Sequence, residues 1–133
     1  MHIDTGDAKP VRKRAYRQSP EMQHVMEQLI DEMLAAKIIQ PSESAWSSPC
    51  LLIKKSGTNE YRYVNDLQAV NKITKPIFWP LPTMEDIFDT VSDKNPSLST
   101  NIDMKHAYFQ VFLDEKSRPK TAFTVNGRQY EYC

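Results

Sequence analysis

The sequence predicts an α+β fold in which a leading helix and a short capped helix accompany antiparallel hairpins. Three observations predict it. Met22, Val25, Met26, Leu29, Ile30, Met33 and Leu34 recur at spacings of three and four, one apolar stripe over three to four helical turns. Two short apolar or aromatic runs, Cys50-Leu-Leu-Ile53 and Tyr61-Arg-Tyr-Val64, flank a polar stretch containing Gly57, as in a β-hairpin. Near the end, Asn126-Gly127 separates Thr121-Ala-Phe-Thr-Val125 from Arg128 to Cys133, and Asn-Gly between such runs is a strong two-residue turn signal.

Taken in order, residues 1–18 are polar and basic, with apolar residues too sparse for a helix, and read as an extended basic arm lying on other structure. Ser19-Pro20-Glu21 starts the helix, with Ser19 as N-cap, Pro20 at the first position and an acid in the first turn. The helix should end near Lys37, because Ile38-Ile39-Gln40-Pro41 is β-branched and then blocked by proline. Residues 42–49 form a loop and residues 50–64 the first hairpin. Asp66 to Lys72 reads as a capped helical turn or two. Thr74 to Pro82 carries three prolines and Trp79, an extended connector packed by its aromatics. Thr83-Met-Glu-Asp86 matches a capping box, so a short helix runs to about Val91. Leu98 to Ile102 then reads as a strand that delivers Asp103 to its end, with Lys105, His106 and Tyr108 on a short helical or irregular segment beside close-packing Ala107. Val111 to Leu113 returns, Asp114 to Pro119 turns, and the Asn126-Gly127 hairpin closes the sequence. The chain stops inside the return strand with no closing tail, which suggests a fragment.

Composition bounds the function. At 133 residues the chain is one ordinary domain that can bury about two thirds of its unfolded surface. Its 17 basic and 17 acidic residues balance, so no overall field draws it to nucleic acid. The distribution is uneven. Lys9, Arg12, Lys13, Arg14 and Arg17 fall in a window free of acids, and Lys54, Lys55, Arg62, Lys72 and Lys75 follow. Two cysteines are too few for a disulfide framework, and three scattered histidines offer no zinc or Ser/His/Asp pattern. No apolar run approaches the roughly 18 residues that span a bilayer, and no signal peptide opens the chain. An intracellular protein with no membrane partner is expected.

Two places carry chemistry. Asp103 at a strand end could hold a divalent metal against a rigid sheet, although a lone Asp in such a place more often caps a turn or helix. Lysines in the Gly-containing turn Lys54-Lys-Ser-Gly-Thr-Asn-Glu60 suit an arm that closes over phosphates, with Arg62 adding a bidentate contact. A solubilising hairpin tip would look the same. The residues by themselves leave both pairs of readings open.

Their order narrows the choice. Ser47-Ser-Pro-Cys-Leu-Leu-Ile-Lys-Lys55, Tyr61-Arg-Tyr-Val-Asn-Asp-Leu-Gln-Ala-Val-Asn-Lys72, Asn101-Ile-Asp-Met-Lys-His-Ala-Tyr-Phe-Gln110, Leu113-Asp-Glu and Lys120-Thr-Ala-Phe123 follow one another at fixed spacing. Together they resemble the amino-terminal part of a reverse transcriptase of the retroviral and long-terminal-repeat retrotransposon kind, the gypsy-like elements most closely. Tyr16-Arg-Gln-Ser-Pro-Glu-Met22 and Ala45-Trp-Ser-Ser-Pro49 match that group as well.

The resemblance implies right-hand polymerase fingers with the first antiparallel strands of the palm: residues 1–18 as basic arm, 19–95 as fingers and 96–133 as incomplete palm. It implies an RNA-directed DNA polymerase that extends a primer with dNTPs by two-metal nucleotidyl transfer, using Mg²⁺ or in its place Mn²⁺. Asp103 matches the first of three catalytic aspartates, and Met104 a backbone carbonyl at the metal. Lys55 and Arg62 match the residues that grip the triphosphate. Lys105, His106 and Ala107 would line it, and Tyr108 matches the aromatic that excludes a ribose 2′-hydroxyl. Lys54, Arg12, Lys13 and Arg14 are candidate nucleic-acid contacts. The implied partners are a primed RNA or DNA template, dNTPs, and the rest of a Pol polyprotein with its palm, thumb, connection and RNase H, in the cytoplasm or a virus-like particle. Departures exist: His106 stands where an acidic or small polar residue is usual, Gln68 where arginine is common and Leu67 where an aromatic is common. The Tyr-x-Asp-Asp motif that supplies the other two aspartates is absent, so these residues alone should be inactive. The alternative is a truncated or domesticated piece that only binds nucleic acid.

Overall fold

The structure, a computed structural model, describes residues 1–133. Its longest element is α1, Pro20–Ala35, and the reason it starts there is local: the Ser19 side chain accepts a hydrogen bond from the Met22 amide, and Pro20 needs no partner for its missing N–H. The helix stops two residues before the expected end. Lys37 adopts a left-handed conformation at φ 56°, which lets the Ile38 amide bond the Met33 carbonyl and the Lys37 amide bond the Leu34 carbonyl. This double closure is the Schellman arrangement, here made without the usual glycine.

The turn feeds β1 (Ile39–Pro41), then β2 (Cys50–Lys54) and β3 (Tyr61–Asn65), a single turn of helix α2 (Gln68–Asn71), α3 (Met84–Lys94), and the closing pair β4 (Phe123–Val125) and β5 (Arg128–Tyr132). Short 3₁₀ turns occupy Ala107–Gln110 and Arg118–Thr121. β2 and β3 form the first hairpin, in antiparallel register from Cys50 opposite Asn65 to Lys54 opposite Tyr61. β4 and β5 form the second, closed by Asn126 and Gly127, both at positive φ as a tight primed turn requires. β1 adds to β5 as an edge, which is where Pro41 can sit without breaking a ladder.

One core unites the beginning and end of the chain. Met26, Ile30 and Met33 of α1 pack on Ile39, Cys50, Phe123, Val125 and Tyr130, with Leu52, Tyr63 and Tyr132 at the margin. Phe123 is fully buried and meets the rings of Tyr63, Tyr130 and Tyr132 at centroid distances of 5.5, 5.9 and 5.6 Å. A smaller cluster of Trp46, Val70 and Ala122 takes in Val11, Leu67 and Ile73. Burial pushes the Cys50 thiol up to about 11, as expected of an inert core cysteine.

The basic arm does lie on other structure. Thr5 is buried, the Lys75 amide donates to the Asp4 carbonyl, and the Lys75 ammonium sits 3.1 Å from the Asp4 carboxylate. Val11 and Lys13 exchange backbone hydrogen bonds with Ser47, and Tyr16 donates to Asp66.

Three expectations fail in one region. Every residue from Lys75 to Phe112 is exposed. Leu98–Ile102 forms no strand, since no other strand lies alongside to complete its hydrogen bonds. Val111–Leu113 stays irregular, with the Leu113 amide donating to the Cys133 carbonyl just past β5. Phe78 and Trp79, 91% and 78% exposed, do not pack the connector, and Ala107 is not close-packed. α3 forms nonetheless because its signal is local: Thr83 and Asp86 exchange side-chain to backbone bonds in a capping box, and Asn95 at φ 38° ends the helix beyond the expected Val91. Its apolar side, Met84, Ile87, Phe88 and Val91, faces solvent.

Candidate active site

The first hairpin places its cations by strand alternation. Residues opposite one another share a face, and faces alternate along each strand. Cys50, Leu52 and Lys54 therefore lie on one face with Asn65, Tyr63 and Tyr61, the face whose buried end packs on the core. Leu51, Ile53 and Lys55 lie on the other with Val64 and Arg62. Lys55 and Arg62 thus share the outer face, while Lys54 belongs to the inner face and extends past the core at the exposed tip. The turn between the strands, with Gly57 at φ 76°, leaves a shallow hollow lined by Lys54, Lys55, Ser56, Gly57, Thr58 and Asn59.

Lys55 is already occupied. Its ammonium lies 2.6 Å from the Glu60 carboxylate, and its backbone amide donates to the Glu60 carbonyl at 2.9 Å. The Lys55 side chain holds the Glu60 carboxyl below the usual range, first as hydrogen-bond donor and then as a charge. No acidic side chain pairs with Lys54 or Arg62.

Asp103, Met104, Lys105, His106, Ala107 and Tyr108 follow one another on an exposed segment. His106 stands at φ 53° before the 3₁₀ turn, a conformation costing a non-glycine residue about 1–2 kcal/mol. The Phe109 amide donates to the His106 carbonyl, and Gln110 reaches back to the Lys105 carbonyl at 2.7 Å. The segment is tethered by aromatic stacking: His106 on Phe109 and Phe109 on Tyr132, both at 6.0 Å. Tyr108, 94% exposed, stands free.

No hydrogen bond or ion pair joins the hairpin cations to the Asp103 segment, and the two share neither described cavity. No three His, Cys, Asp or Glu side chains converge anywhere in the chain. Asp103 is a single carboxylate, so the residues present do not by themselves complete the six-oxygen coordination of an ion such as Mg²⁺, although one carboxylate is an ordinary share of such a site.

The sequence profile of the family described as reverse transcriptase (RNA-dependent DNA polymerase) matches residues 53–133. The chain belongs to the reverse transcriptase family. Over 98% of its length it is 33% identical to the Retrovirus-related Pol polyprotein from transposon gypsy of Drosophila melanogaster. Over 88% it is 37% identical to the Gag-Pol polyprotein of Koala retrovirus. It spans 13% and 7% of those two relatives. The reverse transcriptase chain also superposes on the native Prototype Foamy Virus Protease-Reverse Transcriptase with a TM-score of 0.77 at 23% identity, covering 98% of this chain and 17% of that one. A foamy viral protease-reverse transcriptase in complex with double-stranded DNA gives 0.73 at 22%, covering 96% and 22%. The mixed helical and antiparallel architecture is therefore that of reverse transcriptase fingers and palm. No helix in this chain is long and apolar enough to cross a membrane.

Three residues that the geometry makes important escaped the sequence reading. Phe109 and Tyr132 tether the Asp103 segment, and only tertiary structure brings them together. Glu60 could have been found, because it and Lys55 flank the turn symmetrically, with Lys54 and Tyr61 as the next pair inward.

Proposed function

We propose that this chain supplies the nucleotide-gripping fingers and the first palm carboxylate of an RNA-directed DNA polymerase that extends a primer with dNTPs. The observation that carries the reading is that the family match over residues 53–133 takes in Lys55, Arg62 and the whole run from Asp103 to Tyr108. Lys55 and Arg62, on one outer face of a hairpin, are the cationic grip for a triphosphate. Arg62 brings a planar fork and Lys55 a point charge. Lys105, His106 and Ala107 line the phosphates, and Tyr108 presents a rigid ring against a ribose 2′-hydroxyl. Asp103, with the Met104 carbonyl, is one contributor to a Mg²⁺ or Mn²⁺ site completed by carboxylates outside these residues. Residues 1–133 alone are inactive.

Arg12, Lys13 and Arg14 are exposed, have no acidic partner and are fixed beside the first hairpin through Ser47 and Asp66. They and Lys54 are the contacts to the phosphates of a primed RNA or DNA template. The apolar side of α3 and its flanks is covered in the complete protein by the rest of Pol.

The test is ribonucleotide discrimination by the polymerase that contains these residues. Tyr108→Val should leave dNTP incorporation measurable and raise incorporation of the matching ribonucleotide by at least about tenfold, or about 1.4 kcal/mol of transition-state preference. Unchanged discrimination would remove Tyr108 from the nucleotide site and count against the whole assignment.

A further inference from the structure

We infer that Glu60 is an internal stand-in for phosphate, holding Lys55 when no nucleotide is bound and setting the affinity of the hairpin for a triphosphate. This deepens the reading of Lys55 as a phosphate ligand and rests on it. The geometry is specific. Of the cations proposed to meet the triphosphate or the template, Lys55 alone has an acidic partner, 2.6 Å away on the opposite flank of the same turn. The pair is built into the backbone: the Lys55 amide bonds the Glu60 carbonyl, the Glu60 amide bonds the Thr58 hydroxyl, and Gly57 supplies the left-handed residue that closes the turn. A carboxylate and a phosphate oxygen make the same charge-assisted hydrogen bond to an ammonium. The ammonium has three N–H donors, but the Glu60 carboxylate and a phosphate oxygen repel one another when both crowd it, so an incoming triphosphate competes with Glu60 for Lys55. Arg62, with no acidic partner, needs no such exchange. Both side chains of the pair are well exposed, 42% for Lys55 and 68% for Glu60, so the competition is mild and reversible. Exposed pairs of this kind correspond to factors of about two to five in an equilibrium.

The test is a double-mutant cycle on the 133-residue chain, with inorganic tripolyphosphate as the probe and binding followed by NMR titration at low ionic strength. The substitutions lie on an exposed turn outside both cores, and superimposable spectra away from residues 54–62 confirm that the fold is kept. Glu60→Gln should tighten tripolyphosphate binding about two- to fivefold, and Lys55→Gln should weaken it. In the Lys55→Gln background, Glu60→Gln should gain less than half of that factor. If Lys55→Gln leaves affinity unchanged, the assignment of Lys55 to phosphate fails, and this inference with it. If Lys55→Gln weakens binding but Glu60→Gln has no effect, or tightens it equally in both backgrounds, Glu60 acts only through its general charge and the stand-in role is overturned. Absence of measurable binding by both the wild type and Glu60→Gln overturns it as well.

Discussion

Removing the Phe123 ring tests how the hairpins are held. Phe123 is fully buried and touches the rings of Tyr63 on β3 and of Tyr130 and Tyr132 on β5, so it is the place where the first hairpin, the second and α1 meet. Phe123→Ala forfeits the transfer energy of a buried aromatic and leaves a cavity bounded by tyrosines whose positions are set by two separate ladders. Such truncations cost about 3–5 kcal/mol. The three aromatic contacts, at about 0.5–1.5 kcal/mol each beyond area burial, argue for the upper half of that range. A domain of this size holds about 5–15 kcal/mol in total, so the variant should keep only part of its stability. Urea denaturation followed by tryptophan fluorescence, with Trp46 in the smaller cluster as reporter, reads the loss directly. With a slope of about 1–3 kcal/mol per molar, the midpoint should fall by at least about 1 M. Phe123→Leu, which keeps most of the volume, should cost less than half as much. A Phe123→Ala loss under about 1 kcal/mol at unchanged slope would refute the claim that this ring joins the hairpins.

Lys37→Gly removes the left-handed strain at the end of α1, and the net gain after the entropy of glycine should be about 0.5–1 kcal/mol in the same denaturation experiment; a loss would contradict the Schellman reading. The Asp114 carboxyl is held below the usual range by the Ser117 hydroxyl and then by His2, and the Asp4 carboxyl by the Gly6 amide and then by Lys75. Both have depressed folded values, so their contribution is present above the unfolded carboxylate range, roughly pH 4, and is lost as pH falls through the folded values. Asp114→Asn should therefore flatten the acid limb of a stability–pH profile below about pH 4, and an identical acid limb would sink this. Phe109→Ala should speed tryptic cleavage at Lys105 while leaving the urea midpoint nearly unchanged, because the ring tethers an exposed segment to Tyr132 and supports no core. Unchanged cleavage would mean that the stack holds nothing.

What the sequence disclosed, and what it withheld, divides along the reach of the forces involved. Ser19-Pro20 and the stripe from Met22 to Leu34 located α1, Thr83 and Asp86 located α3, and Asn126-Gly127 located the last turn, because caps, staggered apolar spacing and turn chemistry act within a few residues. β1 went unread because Ile38 to Pro41 served only to end the helix, and its place on the edge beside β5 is what makes a strand of it. The stop of α1 came early because Lys37 takes a conformation that sequence assigns to glycine. The strand expected before Asp103 is absent for the opposite reason: its composition suits a strand, but a strand exists only by pairing, and no segment of this chain pairs with it. The same contrast holds at the site. Lys55, Arg62 and the Asp103 to Tyr108 run were legible as ordered motifs, while the face that Lys55 and Arg62 share follows from the β2–β3 register. The tether from His106 through Phe109 to Tyr132 was not legible, because it joins residues separated by a turn and a whole hairpin.

The most direct measurement is single-turnover nucleotide incorporation by the polymerase containing these residues, with and without Asp103→Asn, alongside its affinity for primed template. Loss of a carboxylate that acts only on the reacting phosphates should slow incorporation by about a thousandfold or more, about 4 kcal/mol, and leave template affinity within about twofold. Incorporation by Asp103→Asn within tenfold of the wild type would contradict the assignment of Asp103, and with it the claim that this chain carries the first palm carboxylate.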